Sequence, residues 1–533
     1  YENDYWALTE ETRFLSDFNV LLKHIDFLCT KNKELQENSD REALLVYNDA
    51  SNDTINTLKE LIIIKLTENE AEKCIEYIHD NIYQKQEIEK IKYKTTKINV
   101  FTNNAEIKFA CAYINGIFLM SPYVEEVQKA IELVGVKSSL KENKFFMNVK
   151  ETSGKNSLAN IFVNVRKLAP YISNKINFEF PLLKNGVSNF TDWIGLDISI
   201  SNDRLLVNGY SNVSSEYFMS LFKGQEPIES TLSQYLPFNT CFFTLYGISN
   251  YSLFKEKLNE KDTDVTSETK FSSADKLVEE YFAGEVAVGY VNSGQNLKGN
   301  SYVMLSIKDS TLTAEQLDIL AKKTVSTSAF SPQPINIYEL PSNFYITPSF
   351  GDLMNLSTPE YVTIIGQRML IASSPALLLE LSGQIISGYT LSKNNSFKFA
   401  QDSYNERLSV LTYVYFPSVI KYANEIFEQS FAEKLTKNSS ALSQIQVVGS
   451  QMENKRGMIY HNAFFKYGEI KEDTLPKKKG NRIIWQTEFY STPVFGPVVL
   501  QNPSTGKDEI LIQDKKNKLY LYSYEGKILW SIQ

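Results

Sequence analysis

Few residues of this chain pair a reactive type with a spacing that chemistry can use. Ser121 and Ser374 each close an apolar segment and precede a proline, a setting in which a serine nucleophile could stand. That role needs a histidine base within hydrogen-bond reach, and spacing places none of the three histidines, His24, His79 and His461, beside either serine. The expectation is instead that both serines cap a following helix, with Pro122 and Pro375 in its first turn, where a missing N–H is harmless. No histidine has a second ligand three or four residues away, so a zinc site is not expected. Cys29, Cys74, Cys111 and Cys241 form no Cys-x-x-Cys pair, and Cys74 and Cys111 lie in apolar patterns, as core thiols do.

Glu68, Glu70 and Glu72 could hold calcium or act in glycoside hydrolysis, but they lie at helix-start spacing, where acids favour the helix dipole. The chain carries no Gly-x-Gly-x-x-Gly, no phosphate loop, no His-Glu-x-x-His, no Gly-x-Ser-x-Gly and no EF-hand loop. No catalytic, cofactor-binding or metal residue is therefore assigned, and no cofactor is expected. Sequons at Asn52, Asn189, Asn212, Asn250, Asn355, Asn394 and Asn438 are what an Asn-, Ser- and Thr-rich chain produces by composition.

The elements that must carry these residues are organised by repetition. Ala110 to Pro122, a strand followed by Ser-Pro, returns as Val362 to Pro375, with an offset of 253 between Ser121 and Ser374 and 252 between Arg204 and Arg456. In the second copy Cys241 to Tyr246 reads as a strand and Tyr251 to Leu258 as a helix. The first copy opens directly on helix, Trp6 to Leu28, so its first strand is expected to precede Tyr1. Glu42 to Asn48 matches Glu285 to Val291 as a β-rich strand. Ile62 to Thr67 then leads into a helix from Glu70 to Ile82, and Leu305 to Ser310 into one from Thr313 to Lys323. Thr67 with Glu70, and Thr313 with Gln316, have the spacing of capping boxes.

Ile98 to Phe101 and Ile335 to Tyr338 give matching strands, and amphipathic helices follow each Ser-Pro. Each copy closes with a strand (Ala159 to Val165, Val410 to Phe416), a helical stretch and a hairpin: Trp193 to Ser201 with Arg204 to Tyr210, and Ile445 to Met452 with Arg456 to His461 across Glu453-Asn454-Lys455. The class is α+β: two tandem copies of a mainly antiparallel sheet-plus-helix domain, residues 1–230 and 231–473. Residues 474–533 form a third, all-β unit after Pro476 and Lys477-Lys478-Lys479-Gly480, with Trp485 and Trp530 placed as in one β-propeller blade.

With 43% hydrophobic and 22% charged residues, the chain can bury real cores. Its 63 acidic against 55 basic residues, net −8, argue against nucleic acid or an anionic membrane surface as partner. No run approaches the roughly 18 apolar residues of a membrane-spanning helix. Most of the 31 Tyr and 32 Phe fall at strand positions expected to face the core.

On the two strand, Ser-Pro, helix units (Gly116 to Ile131, Gly366 to Ile385) and the tail Ile510 to Trp530, the chain resembles a family of duplicated cell-envelope proteins of the Bacteroidota, a domain of unknown function with a C-terminal quinoprotein-like β-propeller-type segment. The resemblance implies export to the periplasm or outer membrane, a lipid anchor before Tyr1 as the membrane contact, and further propeller-like structure after Gln533. The expected function is a non-enzymatic binding or scaffolding subunit whose partners are other envelope proteins. The alternative is a carbohydrate-binding protein or hydrolase with its site between the two repeats.

Overall fold

The computed structural model describes residues 42–49, 58–82, 88–102, 108–136, 139–178, 190–201, 203–213, 218–261, 273–293, 296–327, 335–354, 360–455, 457–468, 470, 487, 491 and 493–533. The helix expected over Trp6 to Leu28, Cys29, and the strand at Trp485 lie outside them. From Ala43 to Asn212 the order is β1 (Ala43–Asp49), β2 (Leu58–Lys65), α1 (Glu68–Tyr77), β3 (Glu89–Tyr93), β4 (Thr96–Thr102), β5 (Lys108–Ile114), β6 (Ile117–Ser121), α2 (Val124–Leu133), α3 (Lys144–Glu151), β7 (Ala159–Asn164), α4 (Val165–Ser173), β8 (Trp193–Ser201) and β9 (Arg204–Asn212).

The second half runs β10 (Ile228–Glu229), β11 (Thr240–Gly247), α5 (Tyr251–Lys261), α6 (Ser273–Tyr281), β12 (Phe282–Val291), β13 (Ser301–Ile307), α7 (Ser310–Leu320), β14 (Lys323–Thr327), β15 (Ile335–Glu339), β16 (Tyr361–Ile364) and β17 (Arg368–Ala372). It continues with α8 (Pro375–Ile386), α9 (Asn395–Gln401), β18 (Arg407–Leu408), β19 (Val410–Tyr415), α10 (Phe416–Lys421), α11 (Ala423–Ile426), α12 (Gln429–Lys437), α13 (Ser439–Leu442), β20 (Ile445–Lys455) and β21 (Met458–Tyr467).

These helices and antiparallel strands make the chain α+β. One six-stranded sheet has the order β1-β2-β6-β5-β4-β3; a thirteen-stranded sheet has the order β14-β15-β16-β17-β13-β12-β11-β19-β20-β21-β9-β8-β7. Two stretches are parallel in order: β12-β13-β17-β16-β15-β14 follows the same path as β1-β2-β6-β5-β4-β3. The first half is thus divided, its last three strands joining the sheet of the second half through β9 and β21, with Asn208 opposite Asn462 and Tyr210 opposite Tyr460.

Alternate strand residues feed two cores, one on each face, as expected of strands covered on both sides. In the six-stranded sheet Phe118 and Met120 meet Ala71 and Cys74 of α1, while Leu119 meets Val127 and Ile131 of α2 on the other face. In the large sheet Leu305 and Ile371 share a core with Leu317 of α7, and Met304 and Leu370 share one with Leu377, Leu378 and Leu381 of α8. Each such leucine contributes about 1.5–3 kcal/mol on burial.

Thr67 caps α1 with the full box: its hydroxyl accepts from the Glu70 N–H at 3.4 Å, and the Glu70 carboxylate accepts from the Thr67 N–H at 2.8 Å. The box expected at Thr313 is not used. α7 starts three residues earlier, capped by Asp309, whose carboxylate accepts from Thr311 and Leu312 at 2.9 Å. α7 also stops at Leu320, and Lys323 opens β14, a strand that pairs with β15.

Pro375 occupies the first turn of α8, but Pro122 precedes the capping Tyr123 of α2 and lies outside the helix. The second-half hairpin turns at Gly457 (φ 81°), so Glu453, Asn454 and Lys455 belong to the strand. The β5–β6 turn uses Asn115 and Gly116, both at positive φ, the pair a two-residue hairpin favours.

Residues 471–533 form a second compact unit. It holds a four-stranded antiparallel meander, β22 (Pro493–Gln501), β23 (Asp508–Asp514), β24 (Leu519–Ser523) and β25 (Ile528–Ile532). The Asp514 carboxylate accepts from the N–H groups of Lys516 and Lys518 at 2.9 Å, closing the β23–β24 turn over Asn517 (φ 62°). No closed ring of blades is present among the described residues.

Candidate functional site

The two serines stand at the junctions between a strand and the helix that follows it. Ser121 ends β6, buried, and its hydroxyl donates to the Glu60 carbonyl at 2.6 Å and accepts from the Tyr123 N–H at 2.9 Å. Ser374 occupies the N-cap position of α8 without a side-chain capping bond. The expected cap is therefore positional at Ser374 and displaced to a strand-end bridge at Ser121, because Tyr123 takes the cap of α2.

A serine–histidine pair that sequence reasoning missed lies in the seam between β9 and β21. His461 Nε2 is 2.7 Å from the Ser211 hydroxyl, and both side chains are buried. The residues are 250 positions apart, on strands whose pairing no local pattern announces. Burial pushes the His461 imidazole down to about 4. The Phe190 ring stands 5.9 Å away, and Ser211 is closed to solvent, so the pair packs the seam and offers a substrate no approach. His79 lies beside Asp80 at 2.9 Å, and His24 lies outside the described residues.

Charge at the far end of the seam is concentrated on Lys466, 2% exposed. Its ammonium donates to Asp402 and to the Phe399 carbonyl, both at 2.6 Å, and stands 3.5 Å from Asp203. Arg204 reaches Ser403 at 2.7 Å and Asp402 at 3.5 Å. Burial, the largest single influence, raises the Asp402 carboxyl, but the Lys466 bond and charge, the Arg204 charge and the Ser403 hydroxyl together outweigh it and leave the group below its ordinary value. Further acids anchor backbone: Glu360 accepts from Ile346 and Thr347, and Glu285 from Thr231 and Leu232.

Cys74, Cys111 and Cys241 are buried, in line with core packing; burial raises the Cys111 thiol and pushes Cys241 up to about 12. Among the described residues no three His, Cys, Asp or Glu side chains gather as a metal site, and no helix is long and apolar enough to cross a membrane. Glu70 serves its capping box. Asn212, one of the sequon residues, is buried and donates to the Phe145 carbonyl at 2.9 Å.

A polar groove of about 550 Å³ runs past Tyr404, Asn405, Arg407, Glu453, Lys455 and Tyr460. It is open, and several of its groups are engaged within the protein. Arg407 donates twice to the Pro227 carbonyl, Tyr404 to the Thr412 carbonyl, and Asn405 to Glu453.

The surfaces that stand out are two sheet edges. β1 ends the six-stranded sheet with Leu44 57%, Leu45 37% and Tyr47 49% exposed. β7 ends the large sheet, with Leu158 before it 66% exposed and Ile161 39%. Unpaired N–H and C=O groups beside exposed apolar side chains make such edges templates for another strand.

No protein-family model and no curated protein matches the chain. The chain is similar to a solved structure, the crystal form III of TP0453, over 45% of its own length and 82% of that chain, at 10% identity and a TM-score of 0.25. A likeness that low carries no fold argument.

Proposed function

We propose that the protein is a non-enzymatic binding or scaffolding subunit of a cell-envelope complex, built from two tandem copies of one α+β domain and a small β module. The observation that carries this reading is the pair of open apolar edges, β1 and β7, in a molecule whose reactive side chains are buried or engaged in holding backbone. The duplication is supported by the matching strand orders of the six-stranded sheet and of β12 to β17. It is supported again by Gly195 opposite Tyr210 in one hairpin and Gly449 opposite Phe464 in the other.

The blade reading of residues 474–533 is supported by the exposure of Val494, Phe495 and Val499 on one outer strand and of Ile528, Trp530 and Ile532 on the other, apolar surface that neighbouring blades would cover. Export to the periplasm or outer membrane rests on the sequence resemblance alone. Partners on this reading are other envelope proteins.

The test is purification of the full-length native protein from its source membrane in mild detergent, with mass spectrometry of what remains bound. Stoichiometric recovery of the same envelope proteins is expected, together with photo-crosslinks to them from a benzophenone placed at Leu44. A clean monomer, free of crosslinks, overturns the subunit role.

A further inference from the structure

The two halves diverge at one place. In the second half β11 lies between β12 and β19, antiparallel to both: Phe242 stands opposite Tyr290 and Val414, and Tyr246 opposite Val286 and Val410. All eight residues of β11 are buried. In the first half the counterparts of β12 and β19 are β1 and β7, and each is the terminal strand of its sheet.

Register makes that equivalence residue by residue. Leu44 faces Ile63, which faces Leu119, as Ala287 faces Met304, which faces Leu370. Phe162 faces Gly195, which faces Tyr210, as Tyr413 faces Gly449, which faces Phe464. Exposure follows pairing. Ala287, Val288 and Tyr290 are buried where Leu44, Leu45 and Tyr47 are exposed, and Val410 and Leu411 are buried where Ala159 and Asn160 are exposed.

We propose that β1 and β7 together form an acceptor for one extended apolar strand of a partner protein, which pairs antiparallel with both edges as β11 does with β12 and β19. The inference rests on the binding reading above and names the chemistry of the occupant. The strand pairs with Glu42 to Tyr47 on one side and Ala159 to Val163 on the other. It carries no proline, because both rows of N–H groups are needed. It presents large apolar side chains to both faces, because β11 sends Phe242 and Tyr246 into one core and Phe243 and Leu245 into the other. Main-chain bonds supply affinity and the alternating side chains supply choice of partner.

The probe is a synthetic peptide copying Thr240 to Ile248 with Cys241→Ser and a solubilising lysine tail, added to the full chain and read by hydrogen exchange with mass spectrometry. Saturating peptide is expected to slow exchange of β1 and β7 together, by about tenfold or more, at one peptide per chain. A peptide with Leu245→Pro should give no protection, and Leu44→Asp or Ile161→Asp in the chain, both at exposed positions, should abolish it without lowering Tm. Protection of neither edge, or of one alone, overturns the proposal. So does a chain that sediments as a dimer with both edges protected before peptide is added, since a second copy then covers them. Co-purification of envelope partners without peptide protection would leave the subunit reading standing and remove this acceptor.

Discussion

β11 and β1 are both short strands with an apolar run and a tyrosine, yet one is a buried spine and the other an exposed edge. The difference lies in their neighbours. β11 is paired on both sides and covered on both faces, whereas β1, among the described residues, is paired with β2 alone. A strand's worth to the fold is therefore set by how many ladders and cores it joins, more than by its own propensity.

The largest effect that tests this contrast is Phe243→Ala. Phe243 is buried, with its ring 5.5 Å from that of Tyr413, and its loss should cost about 3–5 kcal/mol. Leu45→Ala in β1 should change stability by less than about 0.5 kcal/mol. Urea unfolding followed by circular dichroism gives both numbers, and equal costs would break the comparison.

The seam between the halves is the next place to press. The His461 imidazole is held down in the folded state, from an ordinary 6.5 to about 4, so its contribution is fully present above pH 6.5 and is lost as pH falls towards 4, a drop of about 3 kcal/mol. His461→Asn should flatten the stability profile across that window while leaving the profile above pH 7 parallel to wild type. A smaller effect is expected where Lys466 meets Asp402. Asp402→Ala strips the buried ammonium of its nearest carboxylate and should cost roughly 1–3 kcal/mol, whereas Lys466→Met should cost less. Thermal melts of the two variants decide the order.

A further comparison sets the thiols of the two sheets against each other. The six-stranded sheet, open at β1, should release Cys74 and Cys111 to a maleimide before the large sheet releases Cys241, by about tenfold in rate, or 1.4 kcal/mol of opening free energy. Peptide-resolved labelling measures each thiol separately. Faster labelling of Cys241 would mean that the filled sheet is the weaker one.

Local signals in the sequence are legible where the physics is local. Thr67 and Glu70 announce their capping box three residues apart, and the strands at Cys241 to Tyr246 and Val410 to Phe416 fall within a residue or two of their ends in the structure. Thr313 and Gln316 misled because the same spacing occurs one turn inside a helix that Asp309 already caps. β14 was hidden by the helical run before it. The pairing of β9 with β21, the Ser211–His461 contact and the splitting of the first half between two sheets depend on strands far apart in the chain, and nothing short-range encodes them.

That central pairing also sets a timetable for synthesis. β9 and β21 meet across 250 residues at Ser211 and His461, so at 5–20 residues per second the hairpin of β8 and β9 waits roughly 10–50 s on the ribosome for its partner. Until then the β9 edge is as bare as β1, and the nascent chain carries a further strand edge that must be kept from other polypeptides, a demand on holding factors that ends once β21 pairs with β9.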